Sequence, residues 1–167
     1  MGAMGPQQLG PLIDAHAPAL VLYARQWCAA PEDVVQEAFV KLAAQPRPPD
    51  NPAGWLYRVV RNGALSAARS DRRRRRHESA AAAGRPAWFV ATAAHLDADA
   101  AARALQRLPG DQRETVVAHV WGGLTFEQIG PLIGASAATA HRRYTAGLAA
   151  LRTKLRVPCP NHRSTPN

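Results

Sequence analysis

Three side chains able to hydrogen-bond to base edges, His141, Arg142 and Arg143, follow closely behind Ser136 and Thr139. Arginine can hold a guanine through two parallel hydrogen bonds in the major groove, and the small Ala137 and Ala138 let a backbone come close to the duplex. Farther upstream, Arg58, Arg61, Arg69, Arg72 and Arg76 recur at a spacing that forms one basic stripe along a helix. Asn62 and Ser66 lie beside the stripe with groups suited to phosphates or base edges, and the arginine run from Arg72 to Arg76 extends it. Trp55 and Tyr57 could serve as stacking platforms for unpaired bases, although each taken singly reads as a core or boundary aromatic. The opposite charge gathers at Asp33, Gln36 and Glu37, spaced i, i+3 and i+4, which makes one acidic helix face. An isolated acidic patch is usually solvated surface. In a basic nucleic-acid binder it points away from the polyanion, which makes it a candidate protein-docking face.

Other chemistry finds little support. The histidines His16, His77, His95, His119, His141 and His162 are scattered, with no nucleophile–base pair and no HExxH spacing. No catalytic residue is expected, and the chain does not read as an enzyme. Cys159 and His162 supply only two candidate metal ligands, whereas a structural zinc site takes about four. Neither a metal nor any other cofactor is expected.

The elements that must carry these residues are helical. Pro31 suits the first position of a helix, with Glu32 and Asp33 complementing its dipole, and Val35, Phe39 and Leu42 facing a core. Asp50-Asn51-Pro52 opens a second helix, in which Leu56, Val60, Ala64 and Ala67 line the buried side. Gly54 and Gly63 should weaken it by roughly 1 kcal/mol each. Farther on, Asp111 with Glu114 and Thr125 with Gln128 have the spacing of capping boxes. Leu105, Leu108, Val116, Val117, Val120, Leu124, Ile129, Leu132 and Ile133 supply a second core. Gly134 makes a turn, Ser136 caps the last helix, and Leu148, Leu151 and Leu155 return to the core. Helix, glycine turn and helix together read as a helix-turn-helix with its basic side chains early in the second helix. Pro131 falls inside the first of the two, where loss of a hydrogen bond costs about 3 kcal/mol unless the helix kinks. Gly147 should loosen the last helix, and the opening Met1-Gly2-Ala3-Met4-Gly5 has no expected structural role.

Composition agrees with this reading. The 21 Lys and Arg against 12 Asp and Glu give 167 residues a formal charge of +9, which favours a polyanionic partner. There is no apolar run long enough to span a bilayer, no lipidation motif and no signal-peptide pattern, so membrane insertion is not expected. Cys28 and Cys159 form no disulfide framework, and a reducing cytoplasm is the expected compartment. No stretch alternates with period two. The expected architecture is all-α, with two small helical domains at residues 9–77 and 96–156, a flexible linker at 78–95 and a disordered tail at 157–167.

APEDVVQEAFVKL followed by NPAGWLYRVVRNGALSAARSDRRRR resembles region 2 of the bacterial extracytoplasmic-function sigma factors, members of the sigma-70 family. LPGDQRETVVAHVWGGLTFEQIGPLIGASAATAHRRYTAGLAALR resembles their region 4, and the likeness runs from Leu20 to Leu155. It implies a non-enzymatic factor that binds core RNA polymerase and directs promoter-specific initiation. By the resemblance, Asp33, Gln36 and Glu37 dock on the clamp helices of the β′ subunit, and region 4 meets the β flap. Trp55, Tyr57, Arg58, Arg61, Asn62, Ser66 and Arg69 match the segment that recognises and melts the −10 element, with the loop Gln45 to Asn51 receiving an extruded base. Ser136, Ala137, Ala138, Thr139, His141, Arg142 and Arg143 match the helix that reads −35. An anti-sigma protein is a further partner the family implies. The alternative is a stand-alone helix-turn-helix regulator, which needs no acidic docking face; a module for structured RNA leaves the C-terminal motif unexplained.

Overall fold

The computed structural model describes residues 5–77 and 96–155. The expected linker and tail, and with them Cys159 and His162, lie outside the described residues. The described residues form seven α-helices and no strand.

Helix α1 (Pro6–Ala24) opens the first helical block, which was expected from residue 9, and carries Pro11 and Pro18 within it. Both prolines are exposed, so water can take the carbonyls that their missing N–H groups leave unbonded. Gly5 does have a role: its carbonyl accepts from the amides of Gln8 (3.0 Å) and Leu9 (3.1 Å) and starts the helix. Helix α2 (Pro31–Ala43) begins on its proline, with Glu32 and Asp33 in the first turn and Lys41 in the last. It buries Val35, Ala38, Phe39 and Leu42 against Leu20, Tyr23 and Ala24 of α1 and against α3 (Pro52–His77). Asn51 caps α3 through its side-chain oxygen, which accepts from the Gly54 amide at 2.9 Å. Leu56, Val60 and Ala64 are fully buried, and Ala67 packs against their edge, as the helical spacing requires.

The second block comprises α4 (Leu96–Gln106), α5 (Gly110–Val120), α6 (Phe126–Leu132) and α7 (Ala137–Leu155). Thr125 and Gln128 form the expected capping box at the start of α6. The box expected at Asp111 does not form. Pro109 occupies the cap of α5 and Asp111 accepts from the Gln112 amide at 2.9 Å, while Glu114 is drawn into the protein interior. Helix α6 ends in a Schellman arrangement, with the Ala135 amide bonded to the Gly130 carbonyl (2.8 Å) and Gly134 at φ +67°. Pro131 sits exposed in the last turn of this seven-residue helix, so the lost bond ends a helix that stops there anyway.

Two expectations about side-chain placement are corrected. Val120 is 51% exposed rather than core, because α5 finishes there and Leu124 turns inward in its place. Gly147 is buried where α7 crosses α5, and a Cβ on it would lie 2.9 Å from Val116 Cγ2. It allows close helix packing. Leu148, Leu151 and Leu155 are only partly buried, while Ala140 and Gly147 make the tight contact. The two blocks share a contiguous core that runs from Leu20 to Ala140.

Candidate nucleic-acid interface

The start of α7 is held by its own polar residues. Ser136 Oγ accepts from the Thr139 amide (3.1 Å), which caps the helix, and its hydroxyl donates to Thr139 Oγ1 at 3.0 Å. Arg142 donates to the same Thr139 oxygen at 3.0 Å. The guanidinium is thus braced on its own helix and stands in solvent, beside the exposed Ser136, Ala138 and His141. Ala137 and Thr139 are half-buried. Arg143 lies to one side, with its Nε 3.2 Å from Asp111 of α5. Phe126 supports the helix from behind, stacked on His119 at 4.5 Å and meeting His141 edge-on at 5.1 Å. His119 is itself fixed, since its Nδ1 donates to the Leu124 carbonyl at 2.8 Å.

Helix α3 presents Arg58, Asn62, Ser66 and Arg69 to solvent, and Arg69, Arg72, Arg73 and Arg76 line a shallow groove near its end. Trp55 is half-buried against the core. Beside it, Pro49, Asn51, Gly54, Trp55 and Arg58 form one wall of a cleft of about 310 Å³, and Glu127, Gln128, Pro131 and Leu132 of α6 form the other. Two of the expected contact residues turn inward. Tyr57 is fully buried, its ring 4.9 Å from that of Tyr23, and burial pushes its phenol well above the usual range. Arg61 leaves the basic stripe: its Nε donates to Glu114 Oε1 at 2.6 Å, with side-chain exposures of 25% for the arginine and 8% for the glutamate.

On α2, Asp33, Gln36 and Glu37 are all exposed, and Glu37 pairs with Lys41 at 2.7 Å. The sequence reading omitted Val40 from this face, where it is 61% exposed one turn beyond Gln36 and Glu37. An i, i+3, i+4, i+7 spacing from Asp33 was the available signal. Glu114 was read as a helix cap, and nothing in its local spacing marks it as buried.

Residues 12–74 match the family model of sigma-70 region 2, and residues 98–151 match that of sigma-70 region 4. The fold is similar to that of the sigma factor RpoE solved in complex with the anti-sigma factor NepR from Bartonella quintana. That likeness has 24% identity and a TM-score of 0.72, and covers 89% of this chain and 96% of that one. CnrH, solved in complex with the cytosolic domain of CnrY, is similar at 21% identity and a TM-score of 0.60, covering 91% of this chain and 90% of that one. No curated protein is close enough in sequence to count as a match. The two family matches lie in the family's order and together take in more than half of the chain. It therefore belongs to the sigma-70 family, as an extracytoplasmic-function sigma factor that directs core RNA polymerase to promoters.

Proposed function

We propose that α7 reads the −35 element through Ser136, Ala137, Ala138, Thr139, His141, Arg142 and Arg143. Within region 2, Trp55, Arg58, Arg61, Asn62, Ser66 and Arg69 recognise and melt −10, with the buried Tyr57 supporting α3 from the core and the loop from Gln45 to Asn51 receiving an extruded base. Asp33, Gln36 and Glu37, together with Val40, dock on the β′ clamp helices, and region 4 meets the β flap. The modules span residues 9–77 and 96–156 and are joined by 78–95. The factor itself carries out no chemistry and works in the bacterial cytoplasm; no described helix is long and apolar enough to cross a membrane. An anti-sigma protein is a further partner, by analogy with the complexes of RpoE with NepR and CnrH with CnrY.

The observation that carries this reading is the segregation of charge. Exposed basic side chains gather on α3 and at the start of α7, while α2 turns an acidic face with one exposed valine to solvent. A factor that must grip DNA and protein at once needs two such surfaces. Melting has a physical account on the same surfaces: extruding a base costs a few kcal/mol, offset by stacking and phosphate neutralisation. The test is reconstitution of purified chain with bacterial core RNA polymerase on promoter DNA selected from a random pool. Start-site-specific transcripts that need the chain are the expected result. Tight DNA binding with no polymerase association would overturn the reading in favour of a stand-alone regulator.

A further inference from the structure

His119 staples the turn between α5 and α6 twice. Its backbone carbonyl accepts from the Gly123 amide at 3.1 Å, and its ring Nδ1–H donates to the Leu124 carbonyl at 2.8 Å. A carbonyl can only accept, so in the neutral ring the proton sits on Nδ1 and the imidazole is fixed in one tautomer. The ring held this way stacks on Phe126, with centroids 4.5 Å apart and planes 20° apart, and meets Tyr144 of α7 edge-on at 4.7 Å. Phe126 in turn touches two α7 side chains one helical turn apart, His141 at 5.1 Å and Tyr144 at 5.4 Å. A chain of rings thus runs from the α5–α6 turn to the base-reading end of α7.

These rings stand at the rim of the core. His119, Phe126 and Tyr144 are all partly exposed, whereas Ala140 and Gly147 make the tight buried contact of α7. What the rings fix is His141, whose side chain otherwise stands in solvent with several staggered rotamers open to it. A base-reading side chain already held in place loses less freedom on binding. Arg142 is braced by a different route, through Thr139 Oγ1 at 3.0 Å, so the two side chains are positioned independently.

Resting on the reading of His141 as a −35 contact, we propose that His119 is a positioning residue for −35 recognition. Acting through Phe126, it holds the His141 imidazole in the orientation that reads its base pair. Specificity at that pair is therefore set in part from α5, outside the recognition helix.

His119→Asn keeps a side-chain N–H for the Leu124 carbonyl and removes the ring, whereas His119→Phe keeps a ring and loses the hydrogen bond. Holoenzymes with wild type, H119N, H119F or H141A are titrated against promoter DNA carrying every single-base substitution across −35. The H141A profile identifies the base pair that His141 reads. H119N is expected to cut the penalty at that pair by roughly two- to tenfold, the range of one aromatic contact, and to leave the penalty that depends on Arg142 unchanged. H119F should restore most of the loss. H119N combined with H141A should lose no more at that pair than H141A alone.

A second readout uses the full chain without DNA. The His141 imidazole NMR signals, assigned by their absence in H141A, are displaced by the Phe126 ring current only while the two rings are held together. In H119N they should move toward free-histidine positions, and in H119F they should stay near those of wild type. If H119N loses helix content by circular dichroism, Phe126→Leu removes the middle ring, keeps an apolar side chain and takes its place with the same expectations. Equal weakening on every sequence would overturn the proposal, because that is what a merely structural residue gives. An unchanged profile, additive losses or unmoved His141 signals would overturn it too. Failure of the underlying reading shows separately, as an H141A profile identical to wild type, and would remove the positioning role with it.

Discussion

Arg142→Ala tests the promoter-reading surface most directly, because the structure separates its folding role from its binding role. The Arg142 guanidinium is exposed and its hydrogen bond runs to Thr139 on the same helix at 3.0 Å. It supports no core contact, so its loss should change folding stability by less than about 0.5 kcal/mol. In the complex, a bidentate arginine–guanine pair is worth about 1–3 kcal/mol of discrimination. That corresponds to roughly 5- to 150-fold in the affinity of holoenzyme for its promoter. The assay is a cycle. Wild-type and R142A holoenzymes are each titrated against promoter DNA carrying every single-base substitution across the −35 element. Wild type should show a large penalty at one G·C pair, and in the variant that penalty alone should collapse. An equal loss on every sequence would show Arg142 to be a phosphate contact, and an unchanged profile would refute the assignment of α7 altogether. Arg143 makes an informative contrast. It is partly committed to Asp111 at 3.2 Å, so Arg143→Ala also removes an ion pair, one worth at most about 1 kcal/mol at this exposure.

Asp33→Ala with Glu37→Ala should weaken core polymerase binding, measured by fluorescence titration, while leaving the urea midpoint nearly unchanged; the pair lost is the exposed Glu37–Lys41 contact, worth about 0.3–0.5 kcal/mol. Val40→Asp should weaken the same binding without touching the core, because Val40 is 61% exposed. Arg72→Ala with Arg76→Ala should weaken DNA binding on all sequences and flatten the log–log salt dependence by about 0.7–0.9 per arginine, read from titrations across ionic strength. Gly147→Val should destabilise the chain by about 1–3 kcal/mol in urea melts. A Cβ alone would fall 2.9 Å from Val116 Cγ2, and no loss of stability would mean that α5 and α7 pack less tightly than that approach implies.

Local chemistry made much of this fold readable. Pro31, Asn51, Thr125 and Ser136 each act within a few residues of themselves, and each starts its helix where expected. The spacing of Val35, Phe39 and Leu42 and of Leu56, Val60 and Ala64 names the buried faces of α2 and α3 without reference to what covers them. Local rules, which weigh proline as a breaker, do not delimit helix α1 inside the expected first block; its exposed prolines are tolerated because the helix packs through Leu20, Tyr23 and Ala24. Gly147 was misread for a related reason. Glycine weakens an isolated helix, but its missing side chain is what permits α7 to cross α5 closely.

The surfaces divide along the same line. Exposed charge on α2, on much of α3 and at the start of α7 follows from helical period and composition, since those side chains need no partner to take up their positions. Glu114, Arg61 and Tyr57 do need one. By sequence Glu114 looked like a cap and Arg61 like one more member of a basic stripe, yet they are 53 residues apart in the chain and meet at 2.6 Å. Only the packing of α5 against α1 and α3 brings that carboxylate to the guanidinium and to the Tyr23 hydroxyl. Helical period can tell which side of a helix a residue occupies. Whether that side faces water, DNA or another helix is settled by long-range contacts, and these leave no periodic mark in the sequence.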